Sequence, residues 1–364
     1  MPALIAPREP QFLVLQHDSA GDFLSVAYPT LRAQEASSNI ILAHALKMIH
    51  TESAMTEMQF TCNSDVQDRL QRRKTVSSPH QSDGCFWLTL WSYSPFSTES
   101  PFTLDMTLSC LRWKLGEYPI FLWTPSLHRV NEREWLGPRV DAIVDNLKAC
   151  VPPRRVFSAF GQDALVKQFA KCWSRRTGVK IEKKPFYEAY FSYCEKDTLR
   201  PTKKVLPSGH NLRRAIPADR EHVAKLCKEF ADDSVYFPLD FDRALVEADE
   251  LIAKGQIWVY DTGGDIATIC AVTRTTQRVS AITKVYTAPN WRRKGCAEFL
   301  VRDVTTRLLH ECGKDTVVLY VGYDNSAQFV YDKVGFQGLC GRAGDPRIER
   351  SLELGFSDTK RGHW

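Results

Sequence analysis

Residues 285–297 read Val-Tyr-Thr-Ala-Pro-Asn-Trp-Arg-Arg-Lys-Gly-Cys-Ala, and no other run constrains this chain as strongly. Thr283–Thr287 ends a β-strand, because Pro289 cannot continue a central one. Ala297, Phe299, Leu300, Val301, Val304, Leu308 and Leu309 then recur at helical spacing. The run is therefore a strand, a basic turn with one glycine, and a helix N-terminus. Unpaired N–H groups and the positive end of the helix dipole make such a turn a place for an anionic phosphate. Arg292, Arg293 and Lys294 add charge, and Gly295 lets the backbone approach closely. The spacing excludes two other phosphate loops. There is no G-x-x-x-x-G-K-[ST] for a nucleoside triphosphate and no G-x-G-x-x-G after a strand for a dinucleotide.

What stands here is R-x-x-G-x-A over 292–297, followed by Asn325-Ser-Ala-Gln-Phe-Val-Tyr331-Asp-Lys-Val-Gly335-Phe336. The two runs in this order resemble the GNAT superfamily of acyl-CoA-dependent N-acyltransferases, over roughly residues 208–356. The resemblance implies that Arg292, Arg293, Lys294, Gly295, Cys296 and Ala297 cradle the pyrophosphate of coenzyme A. It implies that the strand ending at Thr287 is splayed, so that Val285 and Thr287 orient the acyl group. It makes Tyr331 the general acid for the departing thiolate and sets Asn325 beside the pantetheine arm, a role compatible with capping its own helix. Many relatives carry a carboxylate on that strand as general base. Residues 279–287 have none, which turns attention to Asp232, Asp233 and Asp240 after the first helix of this half, each also an ordinary solvated acid. His222 falls on the polar face of that helix.

The chain has 364 residues, more than one ordinary core, so two domains are expected. A hydrophobic content of 43% and a charged content of 25% are those of a soluble globular protein. The net charge of +5 suits an anionic cofactor, while the absence of a dense basic stripe argues against nucleic acid. Eleven scattered cysteines form no C-x-x-C pair and no Cys/His cluster with zinc spacing, so no metal is expected and the thiols read as reduced. The N-terminus lacks the pattern of a secretory signal, and no run of 18 apolar residues would cross a membrane. These readings point to a cytoplasmic protein without a membrane partner.

Between Cys194 and Asn211 two prolines, a glycine and alternating charges read as a linker. The expected domains are 1–205 and 206–364. In the second, strands at 211–215, 256–260, 266–273, 279–287, 316–321 and 348–354 alternate with helices at 218–231, 242–254, 297–309 and 325–334, with Asp219 as the first N-cap. In the first half, strands at 12–16, 86–93, 106–114, 119–124, 155–160 and 186–193 alternate with helices at 31–50, 132–149 and 162–177. Six of the nine tryptophans lie there, at 87, 91, 113, 123, 135 and 173, and read mainly as core. The element order parallels the C-terminal half, without R-x-x-G-x-A before the helix at 132–149. The expected fold class is α/β (an α+β mixed sheet): tandem GNAT-like domains, each a mixed central sheet flanked by helices, the N-terminal one degenerate or serving the substrate side.

The resemblance implies an N-acetyltransferase that moves an acetyl group from acetyl-CoA to the amine of a small molecule, amino acid or peptide in a ternary complex. A longer acyl-CoA as donor, or a non-catalytic acyl-CoA-binding scaffold, are the alternatives.

Overall fold

The computed structural model describes residues 11–52, 64–73, 79–94, 101–233, 237–341 and 349–363. They fall into two compact units, Met1–Pro185 with Glu353–Lys360 and Phe186–Leu352 with Arg361–Trp364.

In the first unit the elements run β1 (Gln11–His17), α1 (Ala20–Ala33), α2 (Asn39–Glu52), α3 (Ser64–Arg73), β2 (Phe86–Tyr93), β3 (Phe102–Trp113), β4 (Gly116–Trp123), α4 (Arg133–Cys150), β5 (Ser158–Gln162) and α5 (Asp163–Thr177). The strands lie in the order β1-β2-β3-β4-β5, antiparallel except for the β4–β5 pair. The single helix expected over 31–50 is two helices. Ser19 caps α1 by accepting the Asp22 N–H, and Pro29 inside α1 disguises its helical pattern. The polar helix α3 was also missed, since nothing apolar marks it except Val66 and Leu70. The tryptophans do build the core: Phe23 stacks on Trp87 at 5.4 Å and Phe169 on Trp173 at 6.2 Å. His17 is fully buried and satisfied, with Nδ1 2.8 Å from Asp22 and Nε2 2.9 Å from Thr89.

In the second unit the elements are β6 (Tyr187–Glu195), β7 (Asn211–Arg214), α6 (Arg220–Asp232), α7 (Phe241–Ala253), β8 (Ile257–Asp261), β9 (Ile266–Thr275), β10 (Val279–Thr287), α8 (Cys296–Thr306), β11 (Thr316–Gly322), α9 (Ala327–Val334) and the start of β12 (Arg350–Gly355), whose residues from Glu353 on belong to the first unit. The strand order is β6-β11-β10-β9-β8-β7, and β10–β11 is the parallel pair. The five strands β7 to β11 thus repeat the order and directions of β1 to β5. Residue 348, the expected start of the last strand, lies outside the described residues.

The boundary differs from the expected one near residue 205. The strand β6 belongs to the second unit, where it pairs antiparallel with β11 along all of Thr316–Gly322. The linker-like stretch after it is a fixed connection inside that unit. Arg302 of α8 donates to the Arg200 carbonyl, and a Cβ on Gly335 would collide with the Thr198 carbonyl. Composition identified a polar connection but not that it is tied down along its length. Asp219 also differs from expectation. It stands at the N-cap of α6, but its side chain does not bond that helix; it accepts the Ile216 N–H at 2.8 Å and pairs with Arg213 at 2.6 Å.

Candidate active site

The centre of the second unit is the place where β10 leaves β11. These parallel strands pair only at Val279–Thr316, Ser280–Val317 and Ala281–Val318. Beyond Ala281, β10 continues to Thr287 against β9 alone, while β11 continues to Gly322 against β6. Register shifts at 281–284 mark a bulge in β10 where the two strands part. Among the described residues no strand pairs with the β11-facing edge of Ile282–Thr287. Backbone groups on such an edge are available to an extended ligand.

The turn after β10 has the geometry expected of an anion cradle. Arg293 has φ +63° and Gly295 φ +84°, both left-handed, which turns successive N–H groups toward one side. Gly295 is the N-cap of α8, and no side chain caps that end. The first helical hydrogen bond is Phe299 N–H to Gly295 O, so the amides of Cys296, Ala297 and Glu298 precede it. The acidic Glu298 in this first turn is directed elsewhere, to Lys204 at 2.7 Å and Arg302 at 3.3 Å.

The three cations of the motif part company. Arg292 folds back: its Nε donates to the Thr287 carbonyl at 3.1 Å, and its Nη2 to the Tyr286 hydroxyl at 2.9 Å. It ties the turn to the end of β10. Arg293 and Lys294 are exposed, Lys294 with its ammonium 4.6 Å from the Trp291 ring centre. Trp291 itself donates to Asp265 at 3.1 Å. Thr287 Oγ1 lies 3.0 Å from Thr268 Oγ1, and Val285 packs on the core that α8 and α9 build.

Tyr331 of α9 belongs to the same core, only 7% exposed and with its ring edge-on to Phe336. Burial pushes its phenol well above the usual tyrosine range, so it holds its proton. Asn325 accepts the Ala327 N–H at 2.9 Å and so braces the start of α9. Val285, Cys296 and Tyr331 are gathered around one core at the open strand edge, and Asn325, one residue before the Ser326 N-cap, braces the start of the helix that carries Tyr331.

None of the three acids put forward as a base enters this arrangement. Asp232 pairs with Lys228 at 2.5 Å, Asp233 lies 3.5 Å from Arg292, and Asp240 caps α7 by accepting the Arg243 N–H at 2.8 Å. His222 is exposed, as its place on the helix implied. A charge pair that was not anticipated lies on the other face of β10. Both carboxylate oxygens of Glu247 on α7 are 2.8 Å from the Lys284 ammonium. Their side chains are 16% and 12% exposed. Burial opposes the charge on Lys284, and Cys227 with Glu247 more than offset it, so the ammonium is held above its ordinary range. One sequence signal existed: Glu247 occupies a position on the apolar stripe Ala244, Ala248, Leu251 that an ordinary helix would give to a hydrophobic residue.

Among the described residues no cluster of His, Cys, Asp and Glu has the makings of a metal site, and no helix is long and apolar enough to cross a membrane.

Residues 262–342 match the family of FR47-like proteins. No curated sequence is similar enough to count as a match. Among solved structures, a GCN5-related N-acetyltransferase from Sphaerobacter thermophilus is 14% identical, with 94% of each chain covered and a TM-score of 0.50. A GCN5-related N-acetyltransferase from Kribbella flavida is 14% identical over 70% of this chain and 87% of its own, with a TM-score of 0.45. A tandem GNAT protein from the clavulanic acid biosynthesis pathway is 14% identical over 95% and 98%, with a TM-score of 0.43. The likeness to the Sphaerobacter structure runs along nearly the whole chain and shows the same fold, and the FR47-like match falls on the segment of the C-terminal unit that holds the open strand and the glycine turn.

Proposed function

We propose that this protein is an acyl-CoA-dependent N-acetyltransferase, which passes an acetyl group from acetyl-CoA to the amine of a small molecule, amino acid or peptide by direct attack. The observation that carries this reading is the unpartnered edge of β10 leading into the uncapped N-terminus of α8 at Gly295. An extended amide-bearing arm that ends in a pyrophosphate matches both features, in that order. Acetyl-CoA supplies a thioester, which needs no metal to be attacked by an amine.

In this reading Gly295, Cys296 and Ala297 offer backbone N–H groups to the pyrophosphate. Arg293 and Lys294 add charge, and Arg292 holds the turn against Thr287. Val285 and Thr287 line the strand edge that orients the acyl carbonyl. Asn325 keeps α9 in place, and Tyr331 donates its proton to the departing sulfur. The described cysteines are all free and mostly buried, which supports a reducing, cytoplasmic setting. The lack of a carboxylate on β10 favours, as a second reading, a binding protein without turnover.

The test combines two measurements. Coenzyme A should raise the melting temperature of the protein, because a ligand that binds only the native state stabilises it. Acetyl-CoA with a panel of amines should then release free thiol. A shift without release for any amine selects the second reading, and no shift overturns both.

A further inference from the structure

We propose that Glu247, held by Lys284 on the face of β10 opposite Tyr331, is the group that takes the proton from the attacking amine. The inference rests on the acyltransferase reading above and supplies the base that β10 itself lacks.

The placement is the argument. β10 separates two cores. One holds Val285, Cys296 and Tyr331 with the rest of α8 and α9; the other holds Tyr286 with α6 and α7. The bulge at 281–284 is where β10 parts from β11, and Lys284 stands in that segment, one residue before Val285. A thioester carbon held at the open edge therefore has Tyr331 on one side of the strand and the Lys284–Glu247 pair on the other. That is the division of labour an amide-forming step requires, because the thiolate leaves on one side and the amine enters on the other.

The pair is also unusual as a purely structural device. Two well-packed apolar residues of similar size would hold α7 on β10 at least as well, since a buried ion pair rarely repays its desolvation. This one is not sealed, as each partner keeps some exposure. Phe230 lies with its ring centre 5.1 Å from the Lys284 ammonium, a cation–π contact that helps hold the ammonium beside the carboxylate.

Charged and titratable groups face the pair from each packed element. Cys227 comes from α6, with its thiol pushed up to about 12 by burial. Arg243 comes from α7 itself. His363 comes from the C-terminal segment, and burial lowers it to about 4, so it stays neutral near pH 7. Glu229 of α6 and Asp233 at its C-cap face Tyr286, the next residue of β10 on this side, and Glu247 is the carboxylate that touches Lys284 itself.

The step balances as follows. The neutral amine nitrogen bonds to the thioester carbon and becomes positively charged. Glu247 takes one proton from that nitrogen and becomes a neutral acid. The C–S bond breaks with its electron pair on sulfur, and Tyr331 gives sulfur a proton. Solvent then removes the proton from Glu247 and returns one to Tyr331. The charged nitrogen of the intermediate is far more acidic than a free ammonium, so a carboxylate that keeps Lys284 as its counter-ion suffices.

The experiment uses the full chain, acetyl-CoA and a series of primary alkylamines from methylamine to hexylamine, with free thiol as the readout. Glu247→Gln should keep the melting shift with coenzyme A and lose about 10²-fold or more in kcat/KM. Both rates should rise with pH toward the pKa of the amine, because only the neutral amine attacks, with the variant slower throughout. The double variant Glu247→Leu with Lys284→Met keeps an apolar contact between α7 and β10. It should fold with unchanged or higher stability, bind coenzyme A, and be as slow as Glu247→Gln. Wild-type turnover in either variant would reduce the pair to a packing contact and overturn the inference. Loss of the coenzyme A shift in the wild-type protein would instead overturn the acyltransferase reading on which it stands.

Discussion

The turn at 288–296 and the turn at 124–133 hold the same place in two copies of one topology, each joining the fourth strand of a repeat to the next helix. The first has two left-handed residues, exposed cations and an uncapped, glycine-led helix start. The second has no positive-φ residue among 124–132, and its helix begins at Glu132 with Glu134 in the first turn. Its cation Arg129 is paired with Glu132 at 2.9 Å and lies over the Trp135 ring. Acids at that end would repel a phosphate, which the other turn is proposed to hold. The parallel strands differ as well. In the first unit a Cβ on Gly161 of β5 would stand 2.5 Å from the Leu122 carbonyl of β4, so these strands close together where β10 and β11 open. One repeat has an open strand edge and an uncapped turn. The other has filled both and put its side chains into a core.

The sharpest way to break that comparison is Gly295→Glu. A side chain at φ +84° is strained, and its charge points at the cradle. The melting shift with coenzyme A should vanish entirely, because the N-terminal unit offers no second cradle. A residual shift at the same ligand concentration would mean that the turn at 124–133 binds as well.

Tyr331→Phe probes the catalytic side of the same unit. The ring and its contact with Phe336 are kept, and only the hydroxyl proton is lost. Turnover should fall by about 10²-fold or more in kcat and kcat/KM alike, with coenzyme A affinity unchanged. Near wild-type kcat would leave Tyr331 a packing residue.

The contrast between the two turns was legible in the sequence, because Gly295, Pro289 and the basic run are local signals whose meaning depends only on their neighbours. The repeat itself was legible from the order of elements. The place of β6 was not. A strand's own residues give its periodicity, whereas its partner, here β11, is fixed by pairing across 121 residues from Glu195 to Thr316. The polar stretch after β6 looked like a hinge because the contacts that pin it come from Arg302 and Gly335, far along the chain. The Glu247–Lys284 pair was hidden for the same reason. The place of Glu247 on the apolar stripe of α7 turns it inward, but its partner Lys284 emerges only when α7 is laid on β10.

The first unit has its own buried carboxyl, which sharpens the comparison from the stability side. Glu353 is fully buried, accepts from Ser158 at 2.6 Å, and is pushed up to about 8 by burial, where Glu247 has an ammonium to neutralise it. Below pH 4.5 the group is neutral whether the unit is folded or not. As pH rises, the unfolded chain ionises first, so stability falls until the folded group ionises near pH 8. The slope is at most about 1.4 kcal/mol per pH unit. Glu353→Gln should flatten it, leaving the variant more stable than wild type at pH 8 and no more stable at pH 4. Urea unfolding followed by tryptophan fluorescence reports on this unit, which holds six of the nine tryptophans. Parallel pH profiles would show that Glu353 is already ionised in the fold.

The smallest effect concerns how the last helix of each repeat begins. α9 is braced by Asn325, whose carbonyl accepts the Ala327 N–H, whereas α5 starts at Gln162 with no side-chain cap. Asn325→Ala should therefore cost about 1 kcal/mol in the unfolding of the C-terminal unit. Asn325→Asp keeps an acceptor at that position and should restore most of the loss. If Asn325 only braces α9, the coenzyme A affinity of both variants matches wild type once each protein is folded. If it also touches the pantetheine arm, both variants lose affinity by a similar factor, including Asn325→Asp, whose stability is intact. That split between stability and affinity separates a helix cap from a ligand contact, and no cap at Gln162 exists in the other repeat to mimic it.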